Sequence, residues 1–229
     1  MMGKIEKKRL AIIPARGGSK RIIRKNIKTF LGKPIILRVL DQVSASNLFT
    51  EIHVSTEDKE ISGLVSKAGY QPRFSRDASL AGDETPLSDV LKSVLKEYHK
   101  IRESFETIAL VFATAVLIDH HVLERAMEEF DKGDTSVQLL SVAKYPAPIE
   151  KAMRMGSDNK LFPANLKSIA LQSNNLSEAY FETGDFVIYD IQSILQNSNV
   201  SRVQSTPLRS PRIASWTTIS TSVVFSARE

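Results

Sequence analysis

Apolar residues recur along this chain with two periods in alternation. Leu10-Ala11-Ile12-Ile13 is a short continuous apolar run ended by Pro14, the pattern of a strand buried on both faces. Pro34 opens a helix that places Ile35, Ile36, Val39, Leu40 and Val43 on one side. Glu51 to Thr56 alternates as a strand, and Asp58 to Ala68 repeats as a helix stopped by Gly69. Pro72-Arg73-Phe74-Ser75 reads as a short edge strand. Pro86 starts a long helix through Val90, Leu91, Val94, Leu95 and Tyr98. Thr107 to Ala113 is a further buried strand. A helix follows from His120 to Phe130, capped by Asp119 and ended at Gly133-Asp134, then a strand from Ser136 to Ala143. Strands and helices alternating at these lengths predict an α/β fold: a mostly parallel sheet covered by helices, with right-handed crossovers.

The texture changes after Tyr145. Lys151 to Met155, the polar turn Gly156-Ser157-Asp158-Asn159, and Lys160-Leu161-Phe162 predict a hairpin. Gln172 to Ser177 reads as a loop, Glu178 to Tyr189 as a strand, and Ile191 to Leu195 as a short helix. This region is an insertion on a single α/β domain spanning residues 1–229. From Asn197 the tail is rich in Ser, Thr and Arg, with three β-leaning patches that fix no clear element.

At 229 residues the chain suffices for one sizeable core. No apolar run approaches the roughly 20 residues needed to cross a bilayer, and the run behind the charged N-terminus is too short for a signal-peptide core. With no cysteine there is no disulfide, thiolate metal site or Cys nucleophile. These features predict a cytoplasmic protein with no membrane partner.

The net charge of +5 is uneven. Eleven Lys and Arg lie between Met1 and Lys33 against one acid, Glu6, and no acid lies between Asp190 and Glu229. A basic excess suits nucleic acid, a membrane surface or a polyanionic small molecule. Here it brackets a Gly-Gly turn, and no aromatic residue interleaves with it before Phe30, so a phosphate site is favoured over nucleic acid.

That turn is Ile13-Pro14-Ala15-Arg16-Gly17-Gly18-Ser19-Lys20-Arg21, continuing to Arg24-Lys25-Asn26. It leaves the carboxyl end of the first strand, where open α/β sheets bind ligands. Gly17 and Gly18 let the backbone turn its N–H groups toward an anion. Arg16, Lys20 and Lys25 supply charge for a triphosphate, Arg through its planar fork and Lys as a point charge. Neither the P-loop nor the dinucleotide-binding glycine pattern is present; a basic surface turn between a strand and a helix is the less favoured alternative for the same residues.

The string from Ile12 to Arg21, followed by Arg24-Lys25-Asn26 and Phe30-Leu31-Gly32-Lys33-Pro34-Ile35, resembles the acylneuraminate cytidylyltransferases. The likeness continues through Ile52-His53-Val54-Ser55-Thr56 and Phe74-Ser75-Arg76-Asp77-Ala78-Ser79-Leu80-Ala81. It fades near Val111-Phe112-Ala113-Thr114-Ala115 and returns in Glu178-Ala179-Tyr180 with Gly184-Asp185-Phe186; the Ala113-Thr114-Ala115 run and Glu178-Ala179-Tyr180 look most like the pseudaminic acid branch. The resemblance implies a Rossmann-like nucleotidyltransferase fold and transfer of CMP from CTP to a nine-carbon acidic sugar, with release of pyrophosphate. It implies that Arg16 and Lys20 hold the triphosphate and that Lys25 meets the α-phosphate. Ala15, Gly17, Gly18 and Ser19 complete the nucleotide loop, Asn26 and Arg76 lie near the cytidine, and Thr85 lies beside it. Glu178, Tyr180, Asp185 and Phe186 would line the sugar pocket. The insertion at about 146–188 would mediate a homodimer, and the cofactor would be Mg2+.

Family members hold that ion with an Asp-x-Asp pair near the C-terminus. The comparable stretch here is Thr218-Ile219-Ser220-Thr221, placed by Pro211-Arg212, with hydroxyls for both carboxylates. Neutral hydroxyls bind magnesium beside phosphates but do not replace two negative charges. Ile23 and Val116 also stand where the family has Pro. The metal ligands are therefore unassigned, and three readings stay open: slow or absent turnover, a metal held by Asp185 or Asp83, or an altered tail on an otherwise active type. A catalytically degenerate nucleotide-binding homologue is the rival function, and a nucleic-acid-binding protein using the basic N-terminus a third.

Other constellations read as structural. His120 and His121 diverge by about 100° on a helix and are not expected to chelate together. Glu57-Asp58 fits a helix N-cap better than a cation site. Glu128-Glu129 reads as a solvated helix face and Trp216 as core. Ser19 has no partner base and no G-x-S-x-G is present, which argues against hydrolase chemistry.

Overall fold

A computed structural model of the chain describes residues 7–166 and 176–195. The tail beyond Leu195, including the Thr218–Thr221 stretch and Trp216, and most of the predicted polar loop at 172–177 lie outside the described residues.

Strands β1 (Arg9–Pro14), β4 (Glu51–Ser55) and β5 (Thr107–Val111) form the parallel centre, with β1 between the other two. Strand β9 (Tyr180–Asp190) adds to β5 antiparallel, with Val111 opposite Phe186 and Thr107 opposite Asp190, and β6 (Leu139–Lys144) lies beyond it. The predicted mostly parallel sheet thus carries one antiparallel member. Between β1 and β4 comes a short antiparallel ladder of β2 (Thr29–Phe30) and β3 (Lys33–Pro34) that periodicity does not reveal. Its two turn residues, Leu31 and Gly32, both have positive φ (48° and 78°), as the tightest hairpins require.

The predicted helices form where the apolar stripes fall. They are α1 (Ile35–Ala45), α2 (Lys59–Lys67), α3 (Leu87–Lys100), α4 (His120–Lys132) and α5 (Ile191–Leu195). Asp58 caps α2 by accepting the Glu60 and Ile61 N–H groups at 3.0 Å, and Asp119 caps α4 through His121 N–H at 2.9 Å. Among the described residues, no helix is long and apolar enough to cross a membrane.

Leu10 and Ile12 of β1 face a cluster with Leu91, Val94, Leu95 and Tyr98 of α3, Ile108 and Leu110 of β5, and Ile194 of α5. Ala11 and Ile13 on the opposite face are equally inaccessible, so the sheet is covered on both sides. Tyr98 anchors the first face. Its ring meets Phe74, Phe105 and His53 edge-on, its hydroxyl donates to Glu51 Oε1 at 3.2 Å, and burial pushes its pKa up. Edge-to-face pairs of this kind add about 0.5–1.5 kcal/mol each beyond area burial.

Pro72 to Ser75 forms no strand. Phe74 directs its ring into the His53–Tyr98 cluster, Arg73 pairs with Glu51, and the next N–H, that of Arg76, donates to Thr56 O at 2.9 Å. Side-chain anchoring replaces a ladder there.

The described residues group into two compact units, 7–141 with 184–195, and 142–166 with 176–183. The second contains the predicted hairpin, β7 (Met153–Met155) with β8 (Leu161–Pro163), closed by a Gly156 N–H to Lys160 O bond of 2.8 Å. Met153, Met155, Leu161 and Phe162 of this hairpin are each more than half exposed.

Candidate functional site

The loop after β1 is tied to the end of β4. Ala15 is inaccessible and donates its N–H to Ser55 O at 2.9 Å, so Arg16 emerges where the carboxyl ends of two parallel strands meet. Gly17 follows in contact with Asp58: a Cβ there would sit 2.2 Å from Asp58 Oδ2 and 2.9 Å from its Cγ. Its N–H donates to Glu57 Oε1 at 2.8 Å, so this amide serves a protein carboxylate and not the ligand anion that the sequence predicts for it. Gly18 has open space around it. Ser19 N–H closes a tight turn onto Gly17 O at 3.0 Å.

The far arm of the loop is equally fixed. Arg24 adopts the left-handed conformation (φ 55°) and forks onto Asp58 at 2.5 and 3.0 Å, with Glu60 as a second partner. Guided by that fork and by its N-cap amides, Asp58 holds its carboxyl down at about 2. A 3-10 turn over Lys25–Ile27 buries Asn26, whose Nδ2 donates to Arg16 O at 2.9 Å. Asn26 was expected beside a base; in this structure it braces the loop. Arg76 is clamped on β4, donating to Ser55 Oγ at 3.0 Å and Ser55 O at 2.7 Å.

These placements concentrate positive charge. Burial, then Arg21 and Arg16, lower the Lys25 pKa. Arg76 is lowered mainly by burial and further by Arg16, with Glu57 opposing. Arg16 Nη1 and Lys20 Nζ each lie 2.5 Å from Asp83, one on Oδ1 and one on Oδ2, and these two partners, Lys20 first, hold the Asp83 carboxyl below its usual range. Among the described residues no acid pairs with Lys25. Mutual repulsion among held cations is the electrostatic signature of a site for a polyanion.

Thr85 lies two residues beyond Asp83, its N–H 3.4 Å from Gly82 O. Of the expected sugar residues, Asp185 and Phe186 fall in the first unit and Glu178 and Tyr180 in the second. Asp185 uses its backbone in the sheet, donating to Ser141 Oγ at 3.2 Å and accepting from Phe112 N–H at 2.9 Å. Phe186 is 1% exposed, a core side chain with no surface to offer a ligand, because its register opposite Val111 points it inward. In the second unit, Tyr180 donates to Glu178 Oε2 at 2.8 Å, and Lys144 pairs with Glu178.

Glu57 and Asp83 are the residues that sequence reasoning underweighted. Glu57 lies two residues past the carboxyl end of β4, the position open sheets reserve for ligands, which is its mark in the sequence. Its Oε2 is buried without a partner among the described residues. The reading of the two histidines needs correction. Asp119, His120 and His121 bring one ligand atom each within 4.8 Å of one another, and the two ring centroids lie 3.9 Å apart with the planes tilted by 40°. His120 opens α4 beside its cap, where side chains fold back over the terminus and the mid-helix angular argument does not apply. Their remaining contacts, Gln42 for His120 and Glu124 for His121, are satisfied hydrogen bonds.

Residues 10–210 match the family described as Cytidylyltransferase. A pseudaminic acid cytidylyltransferase of Campylobacter jejuni is 30% identical over 205 residues, covering 90% of this chain and 88% of that protein. A CMP-N,N'-diacetyllegionaminic acid synthase of Legionella pneumophila is 24% identical over 200 residues, 87% of this chain and 85% of its own length. Among solved structures, a CMP:2-keto-3-deoxy-manno-octonic acid synthetase complexed with CTP superposes with a TM-score of 0.65 at 15% identity, covering 96% of this chain and 98% of that one. This last likeness is one of fold.

Proposed function

This chain belongs to the cytidylyltransferase family, and we propose that it transfers CMP from CTP to a nonulosonic acid of the pseudaminic type. The sugar's anomeric hydroxyl oxygen bonds to the α-phosphorus, the bond to the bridging β-phosphate oxygen breaks, and the hydroxyl proton passes to solvent as pyrophosphate leaves. The observation that carries this reading is the cation cluster of Arg16, Lys20, Lys25 and Arg76 at the joined ends of β1 and β4. Reactions of this kind are driven chiefly by positioning and charge stabilisation, which such a cluster supplies.

Within that reading Arg16 and Lys20 grip the outer phosphates. Lys25, whose charge is penalised by burial and by two neighbouring guanidiniums, gains most from an anion and stabilises the α-phosphate. Ala15, Gly17, Gly18 and Ser19 shape the loop, Asn26 braces it, and Arg76 and Thr85 flank the cytidine. In the first unit Asp185 serves the sugar while Phe186 packs into the core; in the second, the Tyr180–Glu178 pair offers the polar groups that suit a sugar's hydroxyls.

The acids beside the loop make a poor magnesium centre. Asp83 is neutralised by Arg16 and Lys20, Asp58 by Arg24, and Glu57 has one oxygen on Gly17. Magnesium, if used, would be brought by the CTP triphosphate itself and would supply charge neutralisation there. The exposed apolar hairpin β7–β8 supports a homodimer, and a CTP-consuming reaction supports a cytoplasmic location.

Incubation with CTP, Mg2+ and pseudaminic acid tests the reading by pyrophosphate release. Release that requires the sugar, and falls at least about tenfold in Arg16→Ala, is expected. CTP protection against thermal unfolding without any release would leave a nucleotide-binding protein that has lost turnover.

A further inference from the structure

Two of the cations assigned to the triphosphate are already occupied, and by a single side chain. Asp83 presents Oδ1 to Arg16 and Oδ2 to Lys20, both at 2.5 Å, while its side chain remains 32% exposed. A carboxylate offers a guanidinium the same pair of oxygens that a phosphate does. Among the described residues Asp83 makes no other hydrogen bond or ion pair. It sits in an irregular stretch between the 3-10 turn Ala78–Ala81 and the start of α3 at Leu87, crossed by one long backbone bond, Thr85 N–H to Gly82 O at 3.4 Å. Swinging it outward breaks no ladder and no helix. The loop below it, by contrast, is fixed by Asn26, Glu57, Asp58 and Arg24.

We propose that Asp83 is a built-in stand-in anion: it fills the phosphate position between Arg16 and Lys20 in the empty protein, and the incoming polyphosphate displaces it. The proposal rests on the polyphosphate reading of the loop. Asp83 relieves repulsion between cations that have no ligand yet, and it keeps both aimed at one point. It also competes. A ligand must bring more charge than one carboxylate to take the site, so a triphosphate, with about four negative charges, succeeds where a weakly charged anion does not.

The test is titration calorimetry of the full chain with three probes: CTP, inorganic tripolyphosphate and cytidine. Asp83→Asn and Asp83→Ser should each bind CTP and tripolyphosphate about three- to tenfold more tightly than the unaltered chain, with the gain shrinking at high salt. Cytidine binding should not change. Unchanged or weaker tripolyphosphate binding in both variants overturns the proposal. A loss of CTP affinity confined to magnesium-containing buffer also overturns it, since it would make Asp83 a ligand of the metal–nucleotide complex. If the variants gain for tripolyphosphate while CTP binds no better than tripolyphosphate, the stand-in role holds and the nucleotide assignment fails.

Discussion

Replacing Gly17 by alanine should destabilise the protein, whereas the same change at Gly18 should not. The Gly17 Cβ would meet Asp58 Oδ2 at 2.2 Å and Cγ at 2.9 Å, distances no real methyl group tolerates. Asp58 cannot yield freely, because it caps α2 through two amides at 3.0 Å and is gripped by Arg24. Displacing it forfeits the cap, about 1 kcal/mol, and part of a partly buried ion pair worth about 1 kcal/mol or less. The expected loss is therefore about 1–2 kcal/mol. Gly18 has nothing within 4 Å and its φ is not positive, so Gly18→Ala should fall within about 0.5 kcal/mol of the parent, or stabilise slightly through the unfolded chain. Urea unfolding of both variants at neutral pH decides the matter. Equal losses, or a loss at Gly18 with none at Gly17, would refute the packing described for the loop.

His53 is buried with its pKa lowered to about 4 by burial and then by Arg76. The unfolded chain takes up its proton near pH 6.5, so stability should be full above that pH and fall by about 2–3 kcal/mol on acidification toward pH 4; His53→Phe should flatten that slope in denaturation measured across the range. Lys25→Met should cut turnover at least about tenfold in the pyrophosphate assay while leaving stability level or up to about 1 kcal/mol higher, because a penalised charge is removed. If the proposed homodimer forms through the exposed hairpin, Phe162→Glu should lower the mass seen by light scattering from that of two chains to that of one.

The sequence was most legible where one periodicity ran undisturbed. The stripe of Val90, Leu91, Val94, Leu95 and Tyr98 specifies α3, and the Leu10–Ile13 run specifies a strand with both faces covered, because burial alone decides those elements. It misled at Phe74, where a single ring reaching His53 and Tyr98 outweighs β propensity, and at Leu31-Gly32, where two positive φ values make a hairpin too short for any period to mark. The candidate site was legible as charge plus glycine at a strand end. Its wiring was not. Gly17 meeting Glu57, Asn26 holding Arg16, and Asp83 bridging Arg16 and Lys20 are contacts across distant segments that no local pattern encodes. Phe186 failed for a related reason, since alternation marks a residue as facing one way but not which side holds the core.

A crystal structure of the chain soaked with CTP and magnesium puts the loop's role to the most direct test. The triphosphate should lie over residues 15–25, with Arg16, Lys20 and Lys25 on its oxygens and Asp83 turned away. Nucleotide bound at another surface, with the loop bare, would contradict the account.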